Sequence, residues 1–173
     1  MKTLVIHPKD ISTEFLCKIY KNRDWTLIDS KQSKRSIKEA IKSHDRVIMM
    51  GHGCEKGLFD SNFDTIIDSN YVYLLREKQC IAIWCNADVF FLKYKLKGLY
   101  TGMIISEYGE ALYESVTTTY QEIEESNLLF GNAMKEGISN NDFDLYKIYE
   151  IYSTDNLNRV MEFNKTKIYK TDE

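Results

Sequence analysis

A single proline and eight glycines occur among 173 residues, and no Pro/Gly/Ser-rich stretch or internal repeat interrupts the chain. Nothing marks a domain boundary. A single domain spanning residues 1–173 is therefore expected, long enough to bury a proper core. No apolar run approaches the roughly 20 residues that a helix needs to cross a bilayer. The apolar part of Met1-Lys2-Thr3-Leu4-Val5-Ile6-His7-Pro8 is too short for a signal peptide and reads as a first strand, so a cytoplasmic protein is expected. Basic residues form no block: 23 Lys and Arg are interspersed with 26 Asp and Glu, for a net charge of -3. That balance speaks against a nucleic-acid or acidic-membrane partner. The four cysteines lack C-x-x-C spacing, which speaks against a structural zinc site, and a reducing compartment speaks against a disulfide framework. Neither G-x-G-x-x-G nor G-x-x-x-x-G-K-[ST] is present, which weakens the case for a nucleotide-binding domain. No metal or cofactor is called for.

What the chain has is ordinary globular composition, 43% hydrophobic and 28% charged, in which short apolar runs alternate with amphipathic segments. That alternation is the pattern of an α/β three-layer sandwich, a mostly parallel sheet with helices on both faces. Strands are expected over 4–7, 25–28, 46–50, 80–84 and 101–105. The fourth is apolar throughout and should be central. Asp10 or Ser12 can cap a helix carrying Phe15, Leu16 and Ile19 on one face. Ser33 suits the N-cap of a helix through Ile37, Ala40 and Ile41. A loop or hairpin is expected over 54–68, then helices over 70–76 and 89–96. Ser126 is read as the cap of a helix through Met134 that ends near Gly137, and the stretch 145–152 fits helix and strand equally well.

Two of these strands end in chemistry. The third runs into Gly51-His52-Gly53 and the fourth into Cys85-Asn86-Ala87-Asp88. In an open parallel sheet, ligands and catalytic groups gather beyond the carboxyl ends of the strands. The loop and crossover helix between these two segments are long enough to make those ends neighbours. Glycines flanking His52 permit a sharp turn and close approach of a substrate backbone, histidine can take a proton near neutral pH, and a cysteine at a helix N-terminus is favoured as thiolate.

The order strand-Gly-His-Gly, a loop with Gly57-Leu58-Phe59, then strand-Cys-Asn-Ala-Asp resembles the caspase-like cysteine peptidases, the clan of caspases, clostripain, gingipain and separase. The resemblance implies a caspase-like fold and cleavage of a peptide or protein substrate. By it, His52 matches the catalytic histidine, Cys85 the nucleophile, and Gly53 with the Cys85 amide the oxyanion position. It also implies that the end of the first strand and the segment after the strand following the nucleophile line the substrate pocket. His7 and Ser106-Glu107 occupy those places. Asn86-Ala87-Asp88 stands where caspases carry their own signature, which makes the bacterial branches the closer comparison.

Plainer readings stand beside these. Free cysteine usually packs as a small hydrophobe, and fold does not imply function. A catalytically inactive peptide-binding or interaction domain of the same fold is therefore the alternative. Cys54 is a loop bystander more readily than a rival nucleophile, and His44 reads as a surface residue. Asp88 reads as a helix cap or a partner of the helix dipole, Tyr146, Tyr149 and Tyr152 as packing, and Glu122, Glu124 and Glu125 as a solvated helix face.

Overall fold

The computed structural model describes residues 1–153 and 158–171. Six strands form one sheet: β1 (Thr3–Ile6), β2 (Thr26–Ile28), β3 (Arg46–Met50), β7 (Gln79–Ile83), β8 (Gly98–Thr101) and β9 (Ile168–Thr171), in the order β2-β1-β3-β7-β8-β9. All pair in parallel except β9, which runs antiparallel to β8. β3 and β7 are adjacent, with Ile48 opposite Ile81 and Met50 opposite Ile83. Between them in sequence lies a small antiparallel sheet of β4 (Gly53–Cys54), β5 (Gly57–Phe59) and β6 (Thr65–Ile67).

Side chains alternate across each strand, and here both faces are apolar. Leu4, Ile6, Val47, Met49, Cys80 and Ala82 belong to one core cluster. Ile37 and Ile41 of α1 (Lys34–Lys42), Val72 and Leu75 of α2 (Val72–Leu75), and Phe90 and Phe91 of α3 (Ala87–Tyr94) complete it. Val5, Ile48, Met50, Ile81 and Ile83 belong to the other cluster. Against them pack Leu16 and Ile19 of a 3-10 helix (Ile11–Ile19), Phe130 and Met134 of α5 (Tyr120–Gly137), and Ile148 of α6 (Leu145–Ile151). The result is a three-layer α/β arrangement. Every residue of β3 is buried, and each large apolar side chain there contributes about 1.5–3 kcal/mol. The ends of β3 are held accordingly.

Two expectations need correction. The fifth strand spans Gly98–Thr101 and not 101–105. Pairing begins at Gly98 because a Cβ there would lie 1.8 Å from the Cys80 carbonyl oxygen, so only glycine lets β8 approach β7. Pairing stops after Thr101 because the Gly102 N–H donates to Lys167 O and the Asn164 side chain takes both the N–H and the carbonyl of Ile105. Ser126 caps nothing: the N-cap of α5 is Thr119, whose hydroxyl accepts from the Glu122 N–H while the Glu122 carboxylate accepts from the Thr119 N–H. This is the T-x-x-E capping pattern. Ser126 lies inside the helix, fully buried and hydrogen-bonded to the Tyr152 hydroxyl. The segment after β1 is a 3-10 helix, and of its two cap candidates Asp10 fills the role. Finally, α7 (Arg159–Lys165) leads into β9, a sheet-closing strand not expected from the sequence.

Candidate active site

The carboxyl ends of β3 and β7 are stitched together by the Gly51 N–H, which donates to Ile83 O at 3.0 Å. Gly51 has φ +135°, a conformation that side-chain-bearing residues rarely adopt. It turns the chain sharply out of β3 and delivers His52. On the neighbouring strand, Cys85 follows the end of β7 with only Trp84 between them, and the left-handed Asn86 (φ 65°) turns the chain into α3. Asparagine tolerates that conformation better than most residues. His52 and Cys85 line one hollow of about 30 Å³, room for a water and not for a substrate side chain.

His52 is oriented by groups from the first crossover. Its Nε2 lies 2.6 Å from Ser12 Oγ. The Ser12 hydroxyl donates to Asp10 Oδ1 at 2.7 Å, and the Ser12 N–H donates to the same oxygen at 2.9 Å. Because the one hydroxyl hydrogen of Ser12 is spent on Asp10, its oxygen must accept from His52. The imidazole is then the Nε2–H tautomer when neutral, and Nδ1 is the basic nitrogen; it has no hydrogen-bond partner among the described residues. The Ser12 hydroxyl, more than any other contact, holds the Asp10 carboxyl below its usual range, so an anion stands behind this chain of hydrogen bonds.

Cys85 has different company. Its thiol lies 3.5 Å from Glu110 Oε1 and 3.6 Å from Ile104 O. No hydrogen bond joins it to His52 among the described residues. Burial, reinforced by the nearby Glu110 charge, pushes the thiol up to about 12, so the resting sulfur is protonated at neutral pH. The helix-terminus argument made from the sequence is outweighed here: Cys85 sits two residues before the first residue of α3, and desolvation plus a carboxylate oppose the thiolate.

The remaining sequence candidates occupy distinct places. Gly53 begins β4, where a Cβ would come within 2.3 Å of the Trp84 ring. His52 O accepts from the Phe59 N–H at 2.8 Å, which makes Gly53 and Leu58 a non-hydrogen-bonded pair and leaves the Gly53 N–H outside the ladder. Ser106 lines the hollow, with its N–H and hydroxyl donating to Glu110 Oε2. Glu107 is exposed and caps α4 (Tyr108–Tyr113). His7 is 3% exposed and lies behind Thr13, its two ring nitrogens 3.1 Å from the Tyr20 and Thr13 hydroxyls. It lines a neighbouring cavity of about 380 Å³ with Asp10, Cys17 and Asp29. Burial lowers its pKa to about 4, so it is a neutral ring at pH 7.

Other residues weighed from the sequence lie away from the hollow. Cys54 accepts from the Lys56 N–H, and His44 precedes β3, bound to Ala40 O and Thr26 Oγ1. Asp88 has a buried Oδ1 without a hydrogen-bond partner among the described residues and stands beside Gly102. Ser12 and Asp10 had been legible only as helix caps, and Glu110 carried no signal beyond its place three residues after Glu107. Among the described residues no group of three His, Cys, Asp or Glu side chains could hold a metal ion, and no helix is long and apolar enough to cross a membrane. In comparisons with known proteins, no family model, no curated protein and no solved structure matches this chain.

Proposed function

We propose that this chain is a cysteine hydrolase of caspase-like type, or a diverged relative, that acts on peptide bonds in the cytoplasm. The observation that carries the reading is that His52 and Cys85 line one hollow at the carboxyl ends of adjacent parallel strands. The Ser12–Asp10 pair adds the third, orienting element that an acting base needs. Because the resting thiol is protonated, His52 acts as a general base and not as half of a preformed ion pair. As Sγ attacks the substrate carbonyl carbon, His52 Nδ1 takes the thiol proton and the carbonyl π electrons move to oxygen. The N–H groups of Gly53 and Cys85 then donate to that oxyanion. Collapse breaks the C–N bond, and the imidazolium gives its proton to the leaving amine. Water, deprotonated by His52, hydrolyses the thioester and restores the thiol.

The Cys85–Glu110 contact favours a second reading, a peptide-binding domain that has kept the fold without turnover. A panel of peptidyl acyloxymethyl ketones separates the two. The hydrolase reading expects at least one to alkylate Cys85, about 100-fold or more faster than in His52→Ala. Peptides that bind, with Cys85 labelling equally slow in both proteins, would establish the binding domain instead.

A further inference from the structure

We infer that Glu110 is a restraint on Cys85, its carboxylate accepting the thiol hydrogen and holding the sulfur in its protonated, weakly nucleophilic form. The inference deepens the hydrolase reading and rests on it for its purpose, while the state of the thiol can be measured without any substrate. The two oxygens of Glu110 have separate duties. Oε2 accepts from the Ser106 N–H at 2.6 Å, the Ser106 hydroxyl at 3.0 Å and the Glu107 N–H at 3.0 Å. These bonds complete the start of α4, and a capping role ends there. Oε1 adds nothing to the helix and lies 3.5 Å from Cys85 Sγ. With its other oxygen anchored three times over, the carboxylate cannot swing away from the sulfur without breaking the turn.

The surroundings leave this contact unopposed. The titratable groups facing Cys85 are Glu110 and Glu107, from α4 and its cap, and His52 across the hollow. The 3-10 helix presents Thr13, Phe15 and Leu16 to the hollow, and α5 presents Phe130. No Lys or Arg stands among these to offset the carboxylate, so a second negative charge on sulfur is disfavoured. The element that carries the restraint is also lightly anchored. α4 has six residues, of which only Ala111 is buried, packed on a small cluster with Ile105, Ile123 and Val160 that is separate from both sheet faces. Leu112 and Tyr113 on α4 are 64% and 81% exposed. Such a segment can withdraw at little cost to the sheet, taking Glu110 from the thiol and leaving His52 to receive the proton.

The test is the rate of Cys85 alkylation by iodoacetamide on the full chain between pH 6 and 10, resolved by mass spectrometry, with buried Cys80 as an internal marker of intact fold. In the wild-type protein Cys85 is expected to react more slowly than Cys54. Because the wild-type thiol titrates above this range, its rate climbs with pH throughout, and Glu110→Gln, which keeps the size of the side chain, is expected to raise that rate about tenfold across the range. Ser106→Ala, which loosens the anchor only, should give a smaller gain, and it decides the matter if Cys80 labelling shows that Glu110→Gln has unfolded. An unchanged rate with Cys80 protected overturns the inference. Faster alkylation with no His52-dependent capture of acyloxymethyl ketones keeps the restraint and removes the hydrolase. Capture in wild type with an unchanged Cys85 rate in Glu110→Gln does the reverse.

Discussion

Acid should destabilise this protein through His7. The ring is 3% exposed, with both nitrogens engaged, and burial lowers its pKa from 6.5 to about 4. In the unfolded chain the same ring takes up a proton near pH 6.5. The sign follows directly: below pH 6.5 the unfolded state binds one proton more than the folded state, so stability falls as pH drops. The loss is complete once pH passes below about 4. The slope for one proton is about 1.4 kcal/mol per pH unit, and the gap between the two pKa values makes the total about 3 kcal/mol, a large part of the stability of a typical domain. Asp10, also held low, loses its own contribution over a more acidic range that both proteins share. Urea unfolding of wild type and His7→Gln at intervals from pH 7 to 4 provides the measurement. The variant should start less stable, having lost the Tyr20 and Thr13 partners, and then lose less with acid, so that the two curves converge. Parallel curves across that window would mean that His7 takes up its proton in the fold as readily as in the unfolded chain, and the burial argument would fail.

Two further outcomes follow from the packing around the site. Gly53→Ala forces a Cβ to within 2.3 Å of Trp84 Cδ1 and 2.6 Å of the Gly57 carbonyl. It should cost about 1–3 kcal/mol by overpacking and shift tryptophan fluorescence, both measurable in one denaturant titration. Asn164→Ala leaves the buried N–H and carbonyl of Ile105 without the side chain that pairs them, at about 1–3 kcal/mol for each group. Amide hydrogen exchange at Ile105 should accelerate relative to β3, and an unchanged rate would show that water or backbone replaces the side chain.

The strands near the site were readable for a plain reason. β3 and β7 are buried on both faces, so their apolar character is continuous, and the chain ends that character abruptly at Gly51 and Cys85. α1 was readable because Ser33, Ile37 and Ile41 obey both capping and helical spacing. The misplaced fifth strand shows the limit. Residues 102–105 are as apolar as a strand, yet their backbone hydrogen bonds go to Lys167 O and to the Asn164 side chain, partners some 60 residues away that no local window contains. Ser126 misled because a serine before an apolar run looks like a cap, while Thr119 and Glu122 supplied the real one.

Local sequence alone was enough to establish the alternation of strands and helices, the double burial of the central strands, and the arrival of a histidine and a cysteine at strand ends, because each depends on short-range periodicity and turn chemistry. Tertiary structure decided which groups surround those two residues. Ser12 and Asp10 reach His52 from the first crossover, and Glu110 reaches Cys85 from a short helix beyond the parallel strands. Whether a thiol is protonated or ionised depends on the charges and the water within a few ångströms of it, and those neighbours are assembled by the fold from segments that lie far apart in the chain.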